Sequence, residues 1–369
     1  MKILLLSDVN SVHTKKWVIG LSSKGFTIGI FSLSRSESDW FSNNEGVSLL
    51  HQPKEMMDAE SIKTKLLYIS TLKKLKAVIH SFQPDILHSH YASSYGLLGA
   101  LSKFHPYIIS VWGADVYDFP NKSFVHKTIF KFNLNKADKI LSTSEVMKTE
   151  TEKYTYKSVD VTPFGVDTQL FSPTPKKINL FSKDDLVVGL IKSLEPKYGI
   201  EVLIKAFKLA HEQCPELSLK LLLVGGGSLD KSLKNLVYEF GITEHVLFTG
   251  KIAHEQIPYY HNEIDIFVST SIDDSESFGV SIVESCACSK AVVVARTGGL
   301  KEVILENQTG YIVEKNDPVS TADAIIRFAK NPNLRFEFGL KARQHVINNY
   351  NWTDNLNKMS EIYQELIKK

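Results

Sequence analysis

The feature that most constrains this chain is a repeated alternation of short apolar runs with stretches of helical spacing. Lys2–Leu6, Thr27–Ser32, Asp85–His88, Tyr107–Val111 and Lys139–Ser142 form one series. Leu186–Ile191, Ser218–Val224, His245–Phe248, Ile264–Ser269, Ala291–Ala295 and Gly310–Ile312 form a second. A strand buried on both faces reads as a continuous apolar run. Helices between such runs imply a parallel sheet covered on both sides. The expected class is α/β, and a length of 369 residues suits two such domains.

The boundary falls where three prolines and a glycine occur between Pro163 and Pro175, a turn-rich connector. Asn331-Pro332 breaks a late helix. Thr353–Ile367 reads as one amphipathic helix with Thr353 or Asp354 as its N-cap. The expected division is residues 1–170, residues 176–350, and a C-terminal helix over residues 351–369.

Composition narrows the function. Hydrophobic residues make up 43% and charged residues 23%, which suits a globular protein with a real core. No apolar run reaches the roughly 20 residues that span a bilayer. The opening Met1–Asp8 reads as a buried strand rather than a signal peptide. Three cysteines, Cys214, Cys286 and Cys288, contain no CxxC pair, so neither a disulfide framework nor a zinc knuckle is expected. A reducing cytoplasm is the simplest compartment. The net charge of +2 is uneven, with lysines bunched at Lys63, Lys65, Lys73, Lys74 and Lys76, and again at Lys122, Lys127, Lys131, Lys136 and Lys139. The plain reading is solvated helix faces; the sharper one is a surface for anionic lipid headgroups or an anionic acceptor. Neither stretch has the interleaved aromatics of a nucleic-acid module.

The strongest local signal is Asp273-Asp274-Ser275-Glu276-Ser277-Phe278-Gly279-Val280-Ser281-Ile282-Val283-Glu284. It follows a strand and opens a helix from Gly279 to about Cys288, with Glu276 in the preceding loop and Glu284 about two turns in. Free N–H groups at such a helix start suit a diphosphate. A carboxylate suits a pair of sugar hydroxyls. Downstream come Ala291–Ala295 and Gly298-Gly299-Leu300-Lys301-Glu302. Upstream, Lys192-Ser193-Leu194-Glu195-Pro196-Lys197-Tyr198-Gly199 follows one strand, Gly225-Gly226-Gly227-Ser228 follows the next, and Phe248-Thr249-Gly250-Lys251-Ile252 a third.

These residues resemble glycosyltransferase family 4, whose members read E-x-F-G-x4-E, then G-G-x-x-E, and earlier G-R-L-x3-K-G. Lys192 stands for the usual arginine, Tyr198 is inserted before the glycine, and both cations are kept. The resemblance covers essentially the whole chain. It implies the GT-B architecture, with two Rossmann-like parallel-sheet domains facing across a cleft, and transfer of a sugar from a nucleoside diphosphate to an acceptor hydroxyl with retention of configuration. It implies that Glu276 holds the sugar, Glu284 the ribose, and Lys192 and Lys197 the diphosphate. Ser277, Phe278, Gly279, Val280, Gly225, Gly226, Lys251 and Ile252 complete the donor set.

In the first half, His13 follows a loop where the family often carries glycines as well. Asp85–Gly96 resembles the family strand ending in H-x-H, and period two puts His88 and His90 on one face. Trp112 stands in a segment where the family often has a histidine. A tryptophan cannot act as a base, so His90 and Asp115 are the candidate polar groups near the reacting centre. No metal or other cofactor is expected. The implied partners are a nucleotide sugar, UDP-linked before GDP-linked, and a glycan or lipid-linked acceptor of a bacterial surface polysaccharide, met at the cytoplasmic membrane face. The rival readings are a GT-B nucleotide-sugar epimerase and a non-catalytic sugar-nucleotide-binding subunit.

Overall fold

The computed structural model describes residues 1–54, 63–173 and 178–368, the side chains of residues 63–69 excepted. Thr174 and Pro175 of the expected connector, and the side chains of Lys63 and Lys65, lie outside the described residues. The chain divides into two compact units. One is Met1–Pro163 joined by the segment from Thr353; the other is Phe164–Trp352.

The first unit runs β1 (Lys2–Leu6), α1 (Val12–Ser23), β2 (Thr27–Phe31), β3 (Val47–His51), α2 (Lys63–Phe82), β4 (Ile86–His90), α3 (Ser94–Ser102), β5 (Tyr107–Ser110), α4 (Ala114–Tyr117), α5 (Phe124–Lys136), β6 (Lys139–Ser142), α6 (Glu145–Glu152) and β7 (Val159–Val161). Its seven strands lie in the order β3-β2-β1-β4-β5-β6-β7, and every pair is parallel. The central strands are buried along almost their whole length, which is why β1 can read Ile-Leu-Leu-Leu without alternation. Leu4, Leu6, Leu87, Ile109, Phe130 and Leu134 share one core cluster. The sequence pattern missed β3 and β7. Both are edge strands, β3 half-exposed and β7 only three residues long, so neither needs a continuous apolar run. β4 also extends two residues beyond the expected end, through the polar Ser89 and His90.

The second unit runs β8 (Leu186–Ile191), α7 (Ile200–Gln213), β9 (Leu219–Val224), α8 (Asp230–Glu239), β10 (Val246–Gly250), α9 (Ile257–Glu263), β11 (Ile266–Ser269), α10 (Val280–Ala287), β12 (Ala291–Ala295), β13 (Gly310–Val313), α11 (Pro318–Ala329) and α12 (Pro332–Asn349). Its strand order, β10-β9-β8-β11-β12-β13, repeats that of the first six strands of the other sheet and is again parallel throughout. This is the doubly wound, Rossmann-like order. Ligands bind such sheets at the carboxyl ends of the strands where the order reverses. Those points are β1/β4 in one unit and β8/β11 in the other.

Local chemistry sets the boundaries. Ser144 accepts a hydrogen bond from the Met147 amide to start α6, and Asp317 accepts from Val319 and Ser320, with Pro318 in the first turn of α11. Asn331-Pro332 separates α11 from α12 as expected. The last helix, α13 (Trp352–Lys368), begins one residue before Thr353 and two before Asp354, the two expected N-caps. Thr353 and Asp354 therefore lie in its first turn, where the Asp354 carboxylate complements the positive end of the helix dipole.

Helix α13 belongs to the core of the first unit. Tyr363 is fully buried, its ring 5.8 Å from Phe26. Its hydroxyl is 2.7 Å from Nδ1 of His88, a residue with no solvent exposure. Replacing Tyr363 with Phe leaves that nitrogen buried and unpaired, which costs about 1–3 kcal/mol. Chemical denaturation of Tyr363→Phe therefore shows a clear drop in stability; an unchanged midpoint would show the bond to be dispensable.

Candidate functional site

The second unit gathers its polar residues at the β8/β11 switch point. Lys192 directly follows β8, and Glu276 lies in the loop between β11 and α10. Lys192 Nζ is 2.9 Å from Glu276 Oε1, with both side chains largely buried. Burial works against the lysine charge, but the attraction of Glu276, helped by Tyr198 and Glu284, outweighs it, so the Lys192 pKa is raised. The Tyr198 ring, in the single helical turn Pro196–Tyr198, lies 4.5 Å from Lys192 Nζ and 5.0 Å from Lys197 Nζ. The inserted tyrosine thus supplies a π face shared by both cations. Lys197 itself is exposed.

The glycines of Gly298-Gly299 hold this loop. A Cβ on Gly299 would stand 2.0 Å from the Ser277 carbonyl, and one on Gly298 2.5 Å from that of Glu276. The Gly299 amide donates to the Glu276 carbonyl at 3.0 Å, and Gly298 N–H donates to Asp274 Oδ1 at 3.0 Å. Only glycine permits that approach, and it fixes the backbone carrying Glu276. Gly279 then caps α10. Glu284 is the fifth residue of that helix, nearer its start than two full turns.

Some expected donor residues do different work. Phe278 is 3% exposed, with its ring between Phe164 at 6.1 Å and Tyr350 at 5.4 Å. Its side chain is core, so only its backbone is left for a ligand. At Gly225 a Cβ would meet the Lys192 carbonyl at 2.0 Å, and at Gly227 that of Leu194 at 2.4 Å. The glycine turn is therefore first a close packing of the β9 end against the Lys192–Leu194 loop. Gly225 also bridges to Gly250, which brings the Lys251 side chain over Gly226. Ile252 beside it is half-buried, Val280 and Ser277 adjoin the helix start, and Ser277 is buried.

In the first unit, the β1/β4 switch point carries a chain of polar contacts. Ser7 Oγ lies 2.6 Å from Thr14 Oγ1 and 2.9 Å from His90 Nδ1. Trp112 stacks on His90 at 4.3 Å, and His13 meets the Trp112 edge at 5.9 Å. His88 and His90 share a strand face as expected, rings 4.7 Å apart. Yet Ser110 and Tyr363 occupy both His88 nitrogens, leaving none for a metal. Asp115 needs correcting as a reacting group. It is 1% exposed, and it accepts from the amides of Ala92 at 2.7 Å, Trp112 at 3.1 Å and Gly113 at 2.9 Å. Burial raises its pKa, and these amides pull it back. Asp115 pins two loops together, with both carboxylate oxygens engaged by backbone amides. His90 is 2% exposed and lies against the Trp112 ring.

Burial lowers the His88 pKa to about 3, and burial with the charges of His88 and His13 holds His90 well below its usual value. Both depressed histidines are neutral when folded and titrate near 6.5 when unfolded. Unfolding therefore takes up protons below pH 6.5, and the stability present above that value is lost as pH falls toward about 3. Denaturation between pH 7 and 5 shows stability falling with a slope approaching about 1.4 kcal/mol per unit for each histidine; a flat profile contradicts neutral burial.

Sequence reasoning missed one residue at the candidate donor site. His261, in α9, has no exposure, and its Nε2 lies 3.3 Å from Glu284 Oε2. A lone histidine in Ile257–Glu263 gives no signal by itself. Only the folding of α9 and α10 around β11 joins positions 23 residues apart.

Two parallel-sheet units with an acidic loop and two lysines at the switch point of the second define a class, the GT-B glycosyltransferases. Residues 2–144 match the family described as glycosyl transferase 4-like, and residues 172–345 match glycosyl transferases group 1. An uncharacterised glycosyltransferase of Methanocaldococcus jannaschii is 28% identical over 302 residues, covering 81% of this chain and 80% of its own. A GDP-mannose-dependent alpha-(1-6)-phosphatidylinositol monomannoside mannosyltransferase of Mycolicibacterium smegmatis is 29% identical over 210 residues, about half of each chain at 54%. Anabaena HepE, solved in complex with UDP, superposes with a TM-score of 0.81 at 20% identity, covering 99% of this chain and 100% of that one. The chain belongs to the group 1, family 4-like glycosyltransferases, and it is a transferase enzyme.

Proposed function

We propose that this enzyme transfers a sugar from a nucleoside diphosphate to an acceptor hydroxyl with retention of configuration, in the synthesis of a bacterial surface polysaccharide or a lipid-linked glycan. The second unit takes the donor and the first unit the acceptor. The observation that carries the reading is the Lys192–Glu276 pair at the β8/β11 switch point. Within that pair each charge satisfies the other. When the donor enters, Lys192 turns to the diphosphate and Glu276 to hydroxyls of the sugar, while Glu284 holds the ribose. Lys197 reaches the same diphosphate from beside Tyr198. As the glycosidic bond breaks, negative charge grows on the leaving diphosphate, and two pre-placed cations with the α10 N-terminus stabilise it. The acceptor attacks the face that the diphosphate leaves, and no protein nucleophile is needed. UDP is the first donor to test, as HepE was solved with UDP. GDP is the second, as the mycolicibacterial relative is named for GDP-mannose.

Glu276→Gln keeps the shape but loses charge-assisted bonds, roughly 1.5–3 kcal/mol each. Turnover with the preferred nucleotide sugar therefore falls about tenfold or more, while nucleoside diphosphate binding changes little. Lys192→Ala and Lys197→Ala each slow turnover, and together lose less than the sum, since both serve one diphosphate. Mass spectrometry of products distinguishes a glycosylated acceptor from an epimerised or unchanged donor. Normal turnover in Glu276→Gln would assign sugar binding elsewhere.

A lipid-linked acceptor calls for contact with a membrane surface. No helix among the described residues is long and apolar enough to cross one, so the contact proposed is peripheral. Helix α5 presents Phe124, Val125 and Phe132 to solvent beside the exposed Lys127, Lys131 and Lys136. Lys139, by contrast, is paired with Asp160 and leaves this basic set. Exposed Lys73, Lys74 and Lys76 add a second basic stretch on α2. Flotation with phosphatidylglycerol vesicles exceeds that with neutral vesicles, and it weakens with salt. Equal flotation with both would remove the membrane contact.

A further inference from the structure

We propose that His261 is a positioning residue for donor recognition, acting through Glu284. The inference rests on the reading that Glu284 holds the ribose. A carboxylate only accepts, so the proton lies on His261 Nε2, which donates to Glu284 Oε2 across 3.3 Å. The two ends of this contact differ in access: the His261 side chain is 0% exposed and that of Glu284 12%. Glu284 therefore keeps part of its side chain open while one carboxylate oxygen is held by the buried histidine.

The histidine is itself fixed. Its ring lies 5.8 Å from Phe171 and 5.7 Å from Phe267, and Nδ1 has no hydrogen-bond partner. An apolar pocket with one polar contact is a poor place for an imidazole unless that contact matters, because the second nitrogen is buried unsatisfied. A phenylalanine would fill such a pocket without that cost. The polar ring there orients Glu284: a glutamate on a helix has three side-chain torsions, and a donor at the carboxylate selects among them.

The test uses UDP and GDP, each beside its 2′,3′-dideoxy analogue, measured by calorimetry on the full chain. The wild type prefers the ribose form of its nucleotide about tenfold or more. Glu284→Gln lowers that preference, and His261→Phe and His261→Leu lower it comparably, with binding of the dideoxy form unchanged. His261→Gln, whose amide can donate from a similar position, restores most of the preference. In turnover, His261→Phe raises the donor KM and leaves kcat within about twofold. If Glu284→Gln loses the preference while both donor-less His261 variants, folded by circular dichroism, retain it, the positioning role is overturned. If Glu284→Gln itself retains the preference, the ribose reading fails, and the inference falls with it.

Discussion

Parallel strands cannot be joined by tight turns. Each pair needs a crossover, and the crossovers here are helices that cover both faces of the sheet. With the faces covered, the strand ends are what remains open to a ligand. The crossovers reverse direction between β1 and β4 and between β8 and β11, leaving a crevice at the carboxyl ends of those strands. The polar residues that matter follow from this constraint. Ser7 follows one strand of the first switch point and His90 ends the other; Lys192 and the Glu276 loop follow the two strands of the second.

The sequence exposed the parts of this arrangement that depend on runs and on turns. The buried strands β1, β6, β8 and β12 have the expected bounds, because a strand buried on both faces has no freedom to be polar. The edge strands β3 and β7 were hidden for the converse reason. The Glu276–Glu284 segment was legible because the loop, the glycine cap and the helix are contiguous. What stayed hidden depends on contacts between distant segments. Asp115 carries the same side chain whether it meets a substrate or three backbone amides, and only the return of Ala92 beside it decides. Phe278 lies inside the most legible motif, yet its ring belongs to the core. Tyr198 looked like an interruption and is a surface shared by two lysines.

The glycines illustrate how one residue type can serve close packing as well as a turn. A glycine turn after a parallel strand suggests room for a phosphate. In Gly225-Gly226-Gly227 much of that room is taken by the neighbouring backbone of Lys192–Leu194. In Gly298-Gly299 the same closeness fixes the Glu276 loop. The missing side chains serve the precision of the lysine and the glutamate, which are the groups with charge to offer.

The last helix has a bearing on the order of events at the ribosome. Its Tyr363 closes against His88 and Phe26, residues translated well before it. Domains usually fold in the order in which they emerge. Here the whole of Phe164–Trp352 is translated before the first unit receives its final helix. The second unit can thus be complete while the first still exposes the apolar surface that α13 will cover. During that interval the first unit is the part in need of protection from aggregation, although most of it left the ribosome before the second.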